Sequence, residues 1–180
     1  NNFPIVSQVI LEAHKILMSS GDGEKSNPGQ YRKQQVKVGN LIPPPANEIE
    51  SLIADLEKFI NDNDSLPPLI KAGLTHIQFE TIHPFLDGNG RIGRAIVIKS
   101  LSYNLERPIL LGLSHVINKK KKAYYDALQS CNHSKDVNKW LLFFAKILLE
   151  SQQYTIKMVS FLVKKSRFFI KYNDINERQS

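Results

Sequence analysis

Residues 83–94 read HPFLDGNGRIGR, and this stretch decides how the rest of the chain is read. Gly88, Asn89 and Gly90 stand between two helical patterns, where glycine can take positive φ and leave successive backbone N–H groups facing an anion. The helix that follows adds its unpaired amides and the positive end of its dipole at the same place. Arg91 and Arg94, three residues apart on that helix, can reach one side and hold further phosphate oxygens. A polyanion site is expected.

Asp87 is an acid in this positive neighbourhood, and a carboxylate beside phosphates commonly holds Mg²⁺. His83, four residues earlier, titrates near neutrality and suits a general base that takes a proton from an incoming hydroxyl. Phe85, an aromatic between polar neighbours, is expected to anchor the loop in the core. A bare DGNG would be read as a tight turn, with Asp87 as a cap and the arginines on the surface. The number of groups suited to one Mg²⁺–phosphate site in so short a stretch argues instead for the site.

Outward from the motif, the patterns are helical. Ile5, Val6, Val9, Ile10, His14, Ile16 and Leu17 recur near helical spacing until SSGDGEKSNPG (residues 19–29) ends the run. Residues 31–39, YRKQQVKVG, alternate at Gln35, Val36, Lys37 and Val38 and predict a short strand or hairpin. Three consecutive prolines in LIPPPANE block regular structure up to Asn47, a candidate N-cap for a helix carrying Ile49, Leu52, Ile53, Leu56 and Ile60. Pro67 and Pro68 open the next helix, which leads through His76 and Phe79 into the motif. After it, Ile92, Ala95, Ile96, Ile98 and Leu101 mark a mostly buried helix, and Tyr124, Leu128 and Cys131 a further one. Residues 137–172 are helical in pattern, with a break or bend expected near polar residues 151–153. A largely α domain with one small β-hairpin is expected.

The 180 residues suit one core, and 42% hydrophobic with 23% charged residues is ordinary for a globular chain. A net charge of +7 favours anionic partners such as nucleotides, nucleic acid or acidic surfaces. The basic run at 119–122 precedes an apolar-periodic stretch and reads as a solvated helix start, which leaves nucleic acid with little support. Cys131 is the only cysteine, so an intramolecular disulfide and a cysteine-rich metal site are excluded, and a reducing, cytoplasmic setting is expected. No run of 18 or more apolar residues occurs, so membrane insertion is not expected.

At every defined position HPFLDGNGRIGR resembles the Fic family motif HxFx(D/E)GNGRxxR, and the P-loop pattern GxxxxGK(S/T) is absent. The similarity continues through PGQYRKQQVKVG, IPPP, THIQFETIH and AYYDALQSCN, in the family's order, over roughly residues 4–165. The resemblance implies a mainly α, Fic-like helical domain over residues 1–173, with a β-hairpin flap at about 31–39 and the core motif at 83–94. It implies AMP transfer from ATP to a Ser, Thr or Tyr hydroxyl of a protein, with release of pyrophosphate. His83 then corresponds to the base and Asp87 to the Mg²⁺ ligand. Gly88, Asn89 and Gly90 correspond to the anion hole and Arg91 and Arg94 to the phosphate clamp, with Ile92 and Gly93 inside the same nucleotide-binding stretch. Val36, Lys37, Val38 and Gly39 correspond to the flap over the nucleotide, which pairs with an extended target segment. Tyr125 and Asn132 correspond to the nucleoside pocket; taken alone, Tyr124 and Tyr125 would be half-buried core.

Doc-like relatives, which phosphorylate, alter the second half of the motif, whereas Gly90 and Arg91 are retained here. Phosphocholine transfer, AMP removal and self-modification also occur on this scaffold, and a non-catalytic module that binds nucleotide or a partner is the alternative of a different class. Many members carry an inhibitory (S/T)xxxE(G/N) helix that sets a glutamate on the last motif arginine, here Arg94. Residues 20–24 have the spacing but read as loop, so the brake is expected upstream or from a partner. Residues 174–180 form a polar tail, either frayed or the start of a linker to a further module.

Overall fold

A computed structural model describes residues 3–19, 25–62, 66–102, 109, 111–133 and 136–172, with the side chains of Asn132 and His133 left out. The expected loop at 20–24 and the tail at 174–180 lie outside the described residues. The helices are α1 (Ser7–Met18), α2 (Ile49–Asn61), α3 (Pro68–Ile82), α4 (Asn89–Leu101), α5 (Leu113–Lys119), α6 (Lys121–His133) and α7 (Asn138–Lys171). The domain is mainly α, as its periodicities predict.

Two apolar clusters form the core, and α3 and α4 contribute to both. On one side Ala72, Ile77 and Val97 pack with Leu113, Val116, Tyr124, Trp140 and Phe144. On the other, Phe79, Ile82, Ile92 and Ile96 pack with Ile10, Ile49, Ile53 and Phe85. A helix apolar around much of its circumference is stable only when enclosed, so the α3–α4 pair becomes the centre of the fold. The motif joins these two helices, which holds its backbone at both ends.

Pro67 and Pro68 open α3 as expected; of the basic run, Lys119 ends α5, Lys120 caps it, and Lys121 and Lys122 start α6. α1 forms where its periodicity predicts a helix, with Ile10, His14 and Met18 buried and Val9 and Ile16 exposed. Three expectations need correction. Asn47 lies within a 3-10 turn, Ala46–Glu48, and the N-cap of α2 is Glu48. Of the break or bend expected at polar residues 151–153, the break does not occur: α7 is continuous, and the buried Ser151 hydroxyl donates to the Ile147 carbonyl at 2.7 Å, one turn earlier in the same helix.

The third correction concerns the flap. Among the described residues, 31–39 form no strand: Val38 and Leu41 exchange both backbone hydrogen bonds, each 3.0 Å, as one isolated bridge around Gly39. The ladder stops because Pro43, Pro44 and Pro45 have no N–H to donate. Side chains take two of their carbonyls instead, Gln35 Nε2 donating to Pro43 at 2.7 Å and Arg32 Nη2 to Pro44 at 2.6 Å.

Candidate active site

The α3 helix ends at His83, whose backbone is left-handed at φ 48° and ψ 61°. A non-glycine residue in this region is uncommon, and the surroundings must hold it there. Arg32 supplies much of that hold. Although buried, it meets no carboxylate among the described residues; Nε donates to the His83 carbonyl at 2.9 Å, Nη1 to Gln34 at 2.9 Å, and Nη2 to Pro44 and, at 3.4 Å, to Ile82. The Arg32 N–H also donates to the Pro84 carbonyl at 2.8 Å. A buried guanidinium is tolerated because its donors are used.

Phe85 is fully buried and anchors the loop, its ring lying 3.8 Å from that of His14 and nearly parallel to it. The two nitrogens of His14 have different partners: Nδ1 accepts from the Gly29 N–H, and Nε2 donates to the Asp87 carbonyl, both at 3.0 Å. Those partners assign a neutral ring, which burial favours by pushing its pKa below the usual value. Asn89 closes the turn by accepting from the Phe85 N–H at 2.9 Å and donating to the Phe85 carbonyl at 2.8 Å. The Asn89 side chain is thus committed to the loop, which leaves its backbone amide as the group it can offer an anion.

Gly88 precedes α4 at φ +84°, and a Cβ there would lie 3.1 Å from Met18 Sδ and 3.2 Å from His14 Cδ2. Its carbonyl accepts from both Arg91 and Ile92 N–H at 3.0 Å. The Asn89 and Gly90 amides, at the first positions of α4, have no intrahelical acceptor and form the cradle expected for an anion. Asp87 Oδ1 accepts from the Gly88 N–H at 2.6 Å, while Oδ2 lies 3.3 Å from Arg91 Nη2 in an exposed pair. Arg94 donates through Nε to Ser114 Oγ at 2.9 Å.

These groups border a cleft of about 390 Å³. His83, Asp87, Gly88, Asn89, Gly90, Arg91 and Arg94 line it from the motif, Val38 from the flap and Tyr125 from α6. Val36, Lys37 and Gly39 do not contribute to its wall. Ile92 points into the core, and Gly93 lies at the α3–α4 contact. The Asn132 side chain lies outside the described residues.

The His83 Nδ1–H donates to the Glu80 carbonyl at 3.3 Å, which leaves Nε2 as the basic nitrogen. Burial pushes its pKa below the usual histidine value, Arg32 adds to this, and the Glu80 carbonyl and Asp87 oppose it. The ring is therefore neutral at neutral pH and able to accept a proton.

The Fic/DOC family model matches residues 4–101, which hold the flap, α3 and the whole motif. The chain belongs to the Fic/DOC family. The protein adenylyltransferase Fic of Culex quinquefasciatus is 31% identical over 147 residues, 81% of this chain and 28% of that protein. The chain thus spans just over a quarter of the length of this relative. A Fic family protein from Desulfovibrio desulfuricans G20 has the same fold at TM-score 0.69 and 28% identity, over 85% of this chain and 47% of the other. Fic-1 of C. elegans matches at TM-score 0.69 and 23% identity, over 87% and 45%.

Within the Fic fold, the cleft also uses residues that motif reading did not single out. Glu80, Thr81, Ser114, Asn118, Lys121 and Gln129 line it, and Arg32 and His14 support it from behind. Glu80 was the one with a local signal, an acid among the apolar positions of α3, one turn before His83. Tyr124 is buried, its hydroxyl 2.7 Å from His76 Nε2, and Tyr125 is half exposed at the cleft.

Proposed function

We propose that this domain is a protein adenylyltransferase module that moves AMP from ATP to a hydroxyl side chain of a protein. The observation that carries the reading is the placement of an unprotonated His83 Nε2 beside an amide cradle flanked by two arginines. The relatives named protein adenylyltransferase support the reaction class.

The triphosphate binds at the α4 N-terminus, on the Asn89 and Gly90 amides and on Arg91 and Arg94, with the nucleoside toward Tyr125 and the α6 wall. The flap at Val38 covers it and offers backbone groups to an extended target segment. His83 Nε2 takes the proton of the target hydroxyl as its oxygen bonds to the α-phosphorus. The bond from that phosphorus to the bridging oxygen breaks, and pyrophosphate leaves. Catalysis is then positioning and charge stabilisation by groups already in place.

Among the described residues, no group of three or more His, Cys, Asp or Glu could hold a metal. A Mg²⁺ ion bound mainly by phosphates and water needs only one or two carboxylates. The exposed Oδ2 of Asp87 at the cleft wall fits that role, and an ion there would neutralise phosphate charge.

Incubation with ATP labelled at the α-phosphate, and separately at the γ-phosphate, in a lysate tests the reading. With His83→Ala run beside it to subtract labelling by the lysate itself, protein label that depends on His83 is expected from the α-position alone. His83-dependent label from the γ-position would make the reaction phosphorylation and overturn the reading.

A further inference from the structure

We propose that Glu80 is a further residue of the phosphate site, one that takes up a proton when polyphosphate enters the cleft and releases it when the cleft empties. The proposal rests on the nucleotide-binding reading above and adds to it a group outside the motif.

The geometry isolates one carboxyl oxygen. Glu80 Oε1 is shut off from solvent and has no hydrogen-bond partner. It is pressed against the first turns of α4, where a Cβ on Gly93 would lie 2.6 Å from it and one on Gly90 3.9 Å. Glu80 is also one of the residues that line the cleft. A buried carboxylate oxygen without a donor is costly, and protonation of the group removes that cost.

The surrounding charges leave the balance open. Arg94 and Arg91 face the cleft from α4, Lys121, Tyr124 and Tyr125 from α6, His83 from the end of α3, and Asp87 from the loop, with neutral His76 one turn back on α3. The cation that acts most on Glu80 is Arg94, but its Nε is turned to Ser114 Oγ at 2.9 Å. Burial outweighs Arg94 and raises the Glu80 carboxyl to about 7. Both forms are therefore accessible at neutral pH.

Polyphosphate tips this balance. Anionic oxygens at the Asn89 and Gly90 amides repel a neighbouring carboxylate, and they draw on the positive field of Arg94 that favours it. The proton comes from solvent and adds to the carboxylate, which becomes the neutral acid; no bond of the nucleotide changes. Because the bound state holds the proton more tightly, nucleotide affinity falls as pH rises above about 7, approaching tenfold per pH unit.

The test is calorimetric titration of MgATP into this chain between pH 6.5 and 8.5, in buffers of different ionisation heat, with Glu80→Gln beside it. Proton uptake and falling affinity in the unsubstituted chain, both lost in Glu80→Gln, are expected. MgATP binding with no proton uptake, or with the same pH dependence in Glu80→Gln, would overturn the role of Glu80 alone. Failure to bind MgATP at any pH would overturn the nucleotide reading and this inference with it. Should Glu80→Gln not fold, ¹³C titration of the Glu80 carboxyl decides the matter. A midpoint near 7 that rises with MgATP supports the proposal, and one in the ordinary carboxylate range or unmoved by MgATP refutes it.

Discussion

The Arg32 guanidinium and the His83 main chain are joined by a 2.9 Å hydrogen bond from Nε to the carbonyl, so the flap-side segment and the turn carrying His83 form one unit. The same guanidinium reaches Gln34 and Pro44 on the flap side and Ile82 at the end of α3. Any change in the path of residues 31–45 is transmitted to the residue expected to accept the proton.

Arg32→Gln removes most of these donors and leaves buried carbonyls unpaired. We expect stability to fall by about 2–4 kcal/mol and AMP transfer by about 10- to 100-fold in kcat, with MgATP affinity changed much less. Urea denaturation and single-turnover transfer check this; an unchanged kcat would separate Arg32 from the positioning of His83.

Gly93→Ala and Gly90→Ala should differ in kind. A Cβ at Gly93 meets Glu80 Oε1 at 2.6 Å and Phe79 Cδ1 at 3.2 Å inside the helix contact, whereas one at Gly90 meets the Nη1 end of Arg94 at 3.0 Å. The first should lose about 1–2 kcal/mol of stability despite alanine's better helix propensity. The second should fold normally and weaken nucleotide binding through Arg94. Thermal unfolding and calorimetry distinguish the two, and equal Tm losses would contradict this placement.

Two groups on α3 bias stability in opposite pH ranges. Burial pushes His76 down to about 4, so its contribution is present above the usual histidine value and is lost as pH falls through 4. Burial raises Glu80 to about 7, so its contribution is full below the usual carboxylate value and is lost as pH rises through 7. His76→Gln should flatten the acid limb of a stability–pH curve. Glu80→Gln should be more stable than the unsubstituted chain at pH 8, by about 3 kcal/mol or less. Denaturation midpoints across pH 4–8 measure both.

Much of this was legible locally. The motif, the proline start of α3 and the buried Phe85 follow from residues close together in sequence, so pattern and chemistry agree. The flap was misread because alternation at residues 35–38 describes a strand only if a partner can donate, and the prolines at 43–45 cannot. Polar residues at 151–153 need not end a helix, because Ser151 satisfies its hydroxyl on Ile147 of the same helix. Arg32 could not be read as a staple, since every carbonyl it holds outside its own segment is distant in sequence. Its neighbour Lys33 looks no different by type and is exposed.

Asp87→Asn keeps the Oδ1 bond to the Gly88 N–H while removing charge from the cleft wall. Transfer should then require about tenfold more Mg²⁺ for half-maximal rate, with Tm within a degree or two of the unsubstituted chain. An unchanged Mg²⁺ requirement would exclude Asp87 as the ligand.

The most direct measurement is the transfer of label from α-labelled ATP to protein by His83→Ala, alongside its MgATP affinity. Replacement of His83 removes Nε2, while the Asn89 and Gly90 amides, Arg91 and Arg94 remain. Transfer should fall by at least about 100-fold with affinity within a few-fold of the unsubstituted chain. Undiminished transfer would contradict the account of His83 as the base.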